Sequence, residues 1–271
     1  MPAKELTTVE LSRREKQRAA ANSVLAALGL TGMKLVVGLL SGSLGLLAEA
    51  AHSGLDLVAA LVTFVAVSVS DRPADESHPY GHGKIENFSA LIETVLLFLT
   101  CAWIIYEAVQ RIFFRAVEVN PSLWAFLVVI ISIGVDISRS KMLYRAAKKH
   151  QSQALEADAL HFSTDIWSSA VVLGGLVLVW LGKKILPGHA GVLKQADAVA
   201  ALGVAFIVLF VSYRLGKRTI DVLLDRAPEG LKEKIAVAAD EVEGVISTGK
   251  VRLRRSGALV FVDMTIEVDR T

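Results

Sequence analysis

The sequence predicts an all-α membrane protein of six transmembrane helices, both termini cytoplasmic, followed by the start of a small α/β domain. Three observations predict it. The 271 residues are 53% hydrophobic with a mean hydropathy of +0.51, more apolar than a chain that must clothe its own surface in polar groups. Apolar runs of about 20 residues recur along the chain, each long enough to cross a hydrocarbon core of about 30 Å. After Asp225-Arg-Ala-Pro228 the pattern changes to one short amphipathic helix and two strand-like stretches.

Residues 1–18 are polar, with Arg13, Arg14, Lys16 and Arg18 near their end, and read as a cytoplasmic arm. The first apolar run leads straight into a full span, so no cleavable signal segment is expected. Spans are expected at about 19–40, 44–70, 88–114, 123–143, 155–181 and 196–213. Lys and Arg crowd the N-terminal side of the bundle: Arg13, Arg14, Lys16, Arg18, Arg72, Lys84, Arg139, Lys141, Arg145, Lys148, Lys149, Arg214, Lys217 and Arg218. Only Arg111, Arg115, Lys183, Lys184 and Lys194 fall on the other side, which places both termini in the cytoplasm. The transmembrane part is therefore read as 19–218 and the C-terminal part as 219–271. There, residues 229–243 show helical periodicity, and 251–255 and 258–268 read as strands turning at Gly257. Helix–strand–strand is too little for an independent core, so the chain reads as truncated or as completing its sheet elsewhere.

The single cysteine, Cys101, excludes an intrachain disulfide and reads as a packed thiol. A net charge of +2 gives no reason to invoke nucleic acid.

Two matching tetrads lie inside this apolar sequence, His52-Ser-Gly-Leu-Asp56 and His161-Phe-Ser-Thr-Asp165. Each sets a His and an Asp four residues apart, on one face of a helix. An Asp at membrane depth costs about 2.5–3.5 kcal/mol and marks a functional site by default. Two imidazoles and two carboxylates make a four-ligand set suited to zinc and neighbouring divalent metals. A second cluster, Asp75, His78 and His82, lies in the polar loop between spans two and three, where Pro and Gly residues bend the chain. Three ligands and a water make an open, exchangeable site; an ordinary solvated loop carries the same residues.

Lesser expectations concern single residues. Asp136 stands one turn before Arg139, which suggests a local ion pair, with a polar lining of the ion path as the alternative. Glu49 suits a cavity mouth, Asp158 a cation funnel from the cytoplasm, and Lys34 a snorkelling or acid-paired cation. His150 and His189 read as loop histidines. Gly29, Gly32, Gly38, Gly42, Gly45, Gly174 and Gly175 suggest close helix approaches.

These motifs, with Ser152-Gln-Ala-Leu-Glu-Ala-Asp-Ala-Leu-His161 and Leu223-Leu-Asp225-Arg-Ala, resemble the cation diffusion facilitators over almost the whole chain. The resemblance implies bacterial-type transporters of divalent transition metals in exchange for protons, and homodimers with a ferredoxin-like cytoplasmic domain. It implies that His52, Asp56, His161 and Asp165 bind the transported ion and that Asp75, His78 and His82 form a loop site. It implies that Lys84 and Asp225 form a salt bridge tying the membrane part to the dimer axis. His at 52 resembles the zinc-selective branch, with Cd2+, Fe2+, Co2+ and Mn2+ as alternatives. One departure stands out: Gly249 and Thr265 fall about where the family's cytoplasmic metal-binding histidines lie, and no His follows His189.

The expected function is zinc efflux across a bacterial inner membrane by alternating access, with no prosthetic group and no enzymatic step. A membrane di-iron enzyme is disfavoured by six histidines in all and no His-Glu-x-x-His motif. A metal-responsive scaffold that dimerises without transport is the other class, and it leaves the intramembrane tetrads without a purpose.

Overall fold

The computed structural model describes residues 3–42, 44–113, 123–185 and 190–269. Six long helices run through it: α1 (Ala3–Ser41), α2 (Leu44–Ser70), α3 (Lys84–Phe113), α4 (Leu123–His150), α5 (Gln153–Ile185) and α6 (Ala190–Leu223). A short α7 (Leu231–Asp240) and an antiparallel hairpin of β1 (Val245–Ser256) and β2 (Leu259–Val268) follow. The molecule is thus mostly helical, with a small two-stranded C-terminal sheet. Among the described residues, three segments are long and apolar enough to cross a membrane: Glu10–Ser41, Glu49–Ser70 and Lys84–Gln110.

Helix α2 coincides with its expected span, whereas α1, α3, α4, α5 and α6 overrun theirs. The polar residues of the N-terminal arm are helical from Ala3 onward, continuous with the apolar part of α1. The short loop between α4 and α5 is only Gln151 and Ser152, with Gln151 in the left-handed region at φ 51.

The packing explains which faces are apolar. Helices α1, α2, α4 and α5 bury Ala20, Val67, Leu143, Ala147, Ala154, Leu155, Ala159 and Phe162 in one core. Helices α3 and α6 pair through Leu97, Cys101 and Val208, and Cys101 is fully buried as a packed thiol. Large apolar side chains such as Leu25, Leu39, Val58, Leu99, Trp103, Phe206 and Phe210 face outward, as a bundle clothed by lipid requires.

Small residues tighten two contacts. A Cβ at Gly38 would press on Leu47 of α2 at 3.0 Å, and one at Gly216 on Thr94 of α3 at 2.9 Å. Gly29, Gly32, Gly42 and Gly174, expected to mediate such approaches, face open space instead. Gly45 and Gly175 lie outside the residues described in this respect.

The hairpin turns at Gly257, φ +60, where the sequence places it. Its tip seats against the loop before α3: a Cβ at Gly83 would lie 2.7 Å from the Ser256 backbone. The Arg254 guanidinium stacks 3.1 Å over the Tyr80 ring, and Tyr80 meets Phe261 edge-on at 5.3 Å. Gly249 faces Thr265 across the strands, so close that a Cβ would meet the Thr265 hydroxyl at 2.5 Å.

Candidate functional site

The polar residues of the bundle form layers, ordered by the helices that carry them. The lowest layer, near the N-terminal end of α1, centres on Lys16, a buried ammonium 2.5 Å from Asp71 and 3.0 Å from Glu86. Glu86 also accepts from the Ser70 hydroxyl at 3.0 Å and from the Ser152 hydroxyl, and Asn87 donates to Gln153 at 2.6 Å. This joins α1, α2, α3 and the start of α5. Lys16 was expected in the cytoplasmic arm; the Asp71 and Glu86 carboxylates draw it inward instead.

The next layer holds Ser23, Arg139 and Asp158. Arg139 Nε donates to Ser23 Oγ at 2.7 Å, and Ser23 Oγ donates to Asp158 at 3.0 Å. The Arg139 guanidinium also lies 3.3 Å over the Phe162 ring. Asp158 is 0% exposed, so it is a sealed partner of Ser23 rather than a surface funnel. Asp136, expected to pair locally with Arg139, makes no direct ion pair with it among the described residues, though both line the same cavity.

Above this layer the tetrads meet. His161 Nε2 is 3.2 Å from Asp56 Oδ1 and 3.8 Å from Asp165 Oδ2. Asp56, His161 and Asp165 bring one ligand atom each within 4.8 Å. His52 stands at the edge: its Nε2 is 4.0 Å from Asp165 Oδ1, and its side chain is 44% exposed against 5% for His161. The i, i+4 spacing turns each His–Asp pair to one face, and facing α2 and α5 close the set.

A cavity of about 80 Å³, room for several waters, adjoins this centre. Its walls include Lys34, Glu49, His52, Asp56, Asp136, Arg139, Asp165, Ser168 and Ser169. Asp136 is one of these lining residues. Lys34 pairs with Glu49 at 3.2 Å and donates to Ser53 Oγ at 2.7 Å, so the acid-paired expectation holds and Glu49 borders the cavity.

Sequence reading passed over Glu93 on α3. It is fully buried, accepts from Thr63 Oγ1 at 3.2 Å, and brings Oε2 to 3.8 Å from His161 Nδ1. The signal was available: a lone acid inside the apolar run Ala90-Leu-Ile-Glu93-Thr-Val-Leu is itself a site marker.

The loop cluster also converges. His78 Nδ1 is 3.1 Å and His82 Nε2 3.5 Å from Asp75, and the two rings are 4.3 Å apart. The turn closes through Gly81 N–H donating to His78 O at 2.9 Å, with Gly81 at φ +71. The His78 backbone N–H donates to Asp75 at 2.6 Å and, with both rings beside it, holds that carboxyl below the usual carboxylate value. Lys84 Nζ meets Asp225 Oδ1 at 2.8 Å, with Asp225 in the left-handed region at φ 60. His150, expected in a loop, ends α4 and hydrogen-bonds Ser12 at 2.7 Å and Glu15 at 2.9 Å. His189 lies outside the described residues.

A bundle of apolar-faced helices that gathers imidazole and carboxylate at its centre beside a polar-lined cavity has the features of a membrane transporter of cations. Comparison with known proteins agrees. Residues 21–224 match the cation efflux transmembrane domain, and residues 227–271 match the cytoplasmic domain of cation efflux proteins. The chain is 30% identical over 263 residues to the cation-efflux pump FieF of Yersinia enterocolitica, covering 96% of this chain and 83% of that protein. It is 30% identical to the FieF of Pectobacterium carotovorum, over 93% of this chain and 80% of that one. It is 34% identical over 244 residues to the magnetosome protein MamB of Magnetospira, over 89% and 79%. The chain belongs to the cation efflux family, the cation diffusion facilitators. It is a membrane transporter of divalent cations, not an enzyme.

Proposed function

We propose that the protein exports a divalent transition metal, zinc foremost, in exchange for protons, with His52, Asp56, His161 and Asp165 holding the cargo. The observation that carries this is the meeting of Asp56, His161 and Asp165 within 4.8 Å, deep in an apolar bundle and beside a cavity that His52 also borders. The cavity walls set four carboxyls (Glu49, Asp56, Asp136, Asp165) against two basic groups (Lys34, Arg139). The formal excess of negative charge equals one divalent cation. Borderline imidazole with carboxylate suits zinc; Cd2+, Fe2+, Co2+ and Mn2+ are the alternatives by the same mechanism.

Proton exchange follows from ligand chemistry. Metal binding needs neutral imidazole and ionised carboxylate, so protons and metal compete for one set of groups. The membrane part, 19–218, spans six times with both termini cytoplasmic. In that orientation the cavity, with Lys34, Glu49, Ser168 and Ser169, opens outward, and the Lys16 and Arg139 layers close the cytoplasmic side. Alternation of access requires these layers to part. The segment from 219 serves homodimerisation, the Lys84–Asp225 bridge tying it to the bundle. Asp75, His78 and His82 form a second, exchangeable metal site in the loop. The setting is a bacterial inner membrane.

The test is metal flux in proteoliposomes under an imposed pH gradient, offering zinc, cadmium, iron(II), cobalt and manganese in parallel. Zinc uptake that collapses with the gradient is expected. Tight binding without flux supports a metal-responsive scaffold and overturns the transport reading.

A further inference from the structure

We propose that Glu93 is the positioning residue of His161: it accepts the ring's Nδ1–H and so turns a bare Nε2 toward the cargo. This rests on the reading of Asp56, His161 and Asp165 as the cargo site.

The ring has two nitrogens with different surroundings. Nε2 hydrogen-bonds Asp56 Oδ1 at 3.2 Å and lies 3.8 Å from Asp165 Oδ2, the carboxylates that would share the cargo with it. Nδ1 looks the other way, to Glu93 Oε2 at 3.8 Å. A neutral imidazole carries one donor and one acceptor nitrogen, and only the bare one binds a metal. Ligation through Nε2 therefore requires the proton on Nδ1 and an acceptor to hold it. Glu93 supplies that acceptor. Its Oε1 is occupied by the Thr63 hydroxyl at 3.2 Å, while Oε2 and His161 Nδ1 are both buried without a hydrogen-bond partner. A shift of about 1 Å brings the two to hydrogen-bond distance. Neither Glu93 nor Thr63 is among the residues lining the cavity, so Glu93 acts through the ring and not on the ion. Helix α3 thereby joins the α2–α5 centre through a single side chain. The stretch around Glu93 is apolar, and a carboxyl at this depth marks a functional site by default.

The experiment uses the full chain in micelles, with the loop site disabled by Asp75→Ala so that one class of site is read. In zinc-loaded protein labelled with 15N-histidine, His161 should show the proton on Nδ1. Glu93→Leu, which removes the acceptor at similar volume, should shift the ring to the other tautomer and weaken zinc binding about 10–100-fold in chelator competition. Glu93→Gln keeps a carbonyl oxygen and should restore the Nδ1–H tautomer and an affinity within about threefold of the parent. The proposal is overturned if Glu93→Leu leaves tautomer and affinity unchanged, or if Gln is as weak as Leu. Should Glu93→Leu fail to fold, an Nε2–H tautomer in the parent protein overturns it alone. His161→Ala separates the two ideas. If that change leaves zinc binding intact, the cargo-site reading fails; if it weakens binding and Glu93→Leu does not, only the role of Glu93 fails.

Discussion

The bundle centre and the loop cluster use the same chemistry, imidazole and carboxylate, at opposite depths. Asp56, His161 and Asp165 have side chains 13%, 5% and 16% exposed; Asp75 and His78 are 51% and 56% exposed, and only His82 of the loop cluster, at 11%, is tucked in. The loop cluster is made by eight consecutive residues and a glycine turn, and its carboxylate is held by the His78 backbone N–H within the same turn. The bundle centre joins residues more than a hundred apart in sequence, and the buried carboxylates beside it, Glu93 and Asp158, are met by the Thr63 and Ser23 hydroxyls of other helices. Depth therefore decides how much surrounding structure the same ligands require. A buried carboxylate needs standing partners, whereas an exposed one needs only its own backbone.

That contrast is open to attack from several sides. The largest effect belongs to the buried ion cluster. Lys16→Met leaves Asp71 and Glu86 facing each other without a cation, and should destabilise the protein by about 3–5 kcal/mol. Thermal unfolding in micelles reads this, and an unchanged midpoint would mean the cluster is solvated. Next, His52→Ala removes the most exposed member of the proposed ligand set and should weaken zinc binding at the bundle centre about 10–100-fold while the fold is kept. Chelator competition measures it; loss of folding instead would show that His52 is structural. The Lys84–Asp225 pair offers the matching exposed case. At 39% and 47% exposure, Lys84→Ala should cost at most about 1 kcal/mol of unfolding free energy, and a loss like that of Lys16→Met would erase the distinction between the layers.

The smallest effect is in the pH response of the loop. The Asp75 carboxyl is held below its usual value by the His78 backbone N–H. A depressed carboxyl stays ionised until the pH falls through its lowered value, so Asp75 keeps its charge through mild acidity. Metal lost from the loop in mild acidity is therefore not lost through protonation of Asp75. Asp75→Asn should weaken loop binding at every pH without moving the midpoint of that loss, as read by metal occupancy in a variant lacking the bundle ligands. A shifted midpoint would assign the titration to Asp75.

Much of this was legible in the residues themselves. The tetrads were visible because helical periodicity and membrane depth make a His–Asp pair conspicuous. The loop cluster was visible because its ligands are neighbours in sequence, and the hairpin because β-branched runs flank Gly257. The supporting groups were not, because their partners are remote. Lys16 looks like any arm lysine until α2 and α3 bring Asp71 and Glu86 to it, 55 and 70 residues on. Arg139 looks paired with Asp136 at helical spacing, yet Ser23 and Phe162, from other helices, claim it. Asp158 shares a face with His161, but Ser23 of α1 covers it. Glu93 carries no motif, and its role appears only when α3 lies beside α5.

The central claim, that cargo is held in the bundle and not in the loop, is tested most directly by zinc flux in proteoliposomes holding equal amounts of the parent protein, Asp165→Ala and Asp75→Ala under the same pH gradient. Asp165→Ala should give the flux of empty liposomes while Asp75→Ala still moves zinc. Zinc flux through Asp165→Ala at the parent's rate would contradict the account.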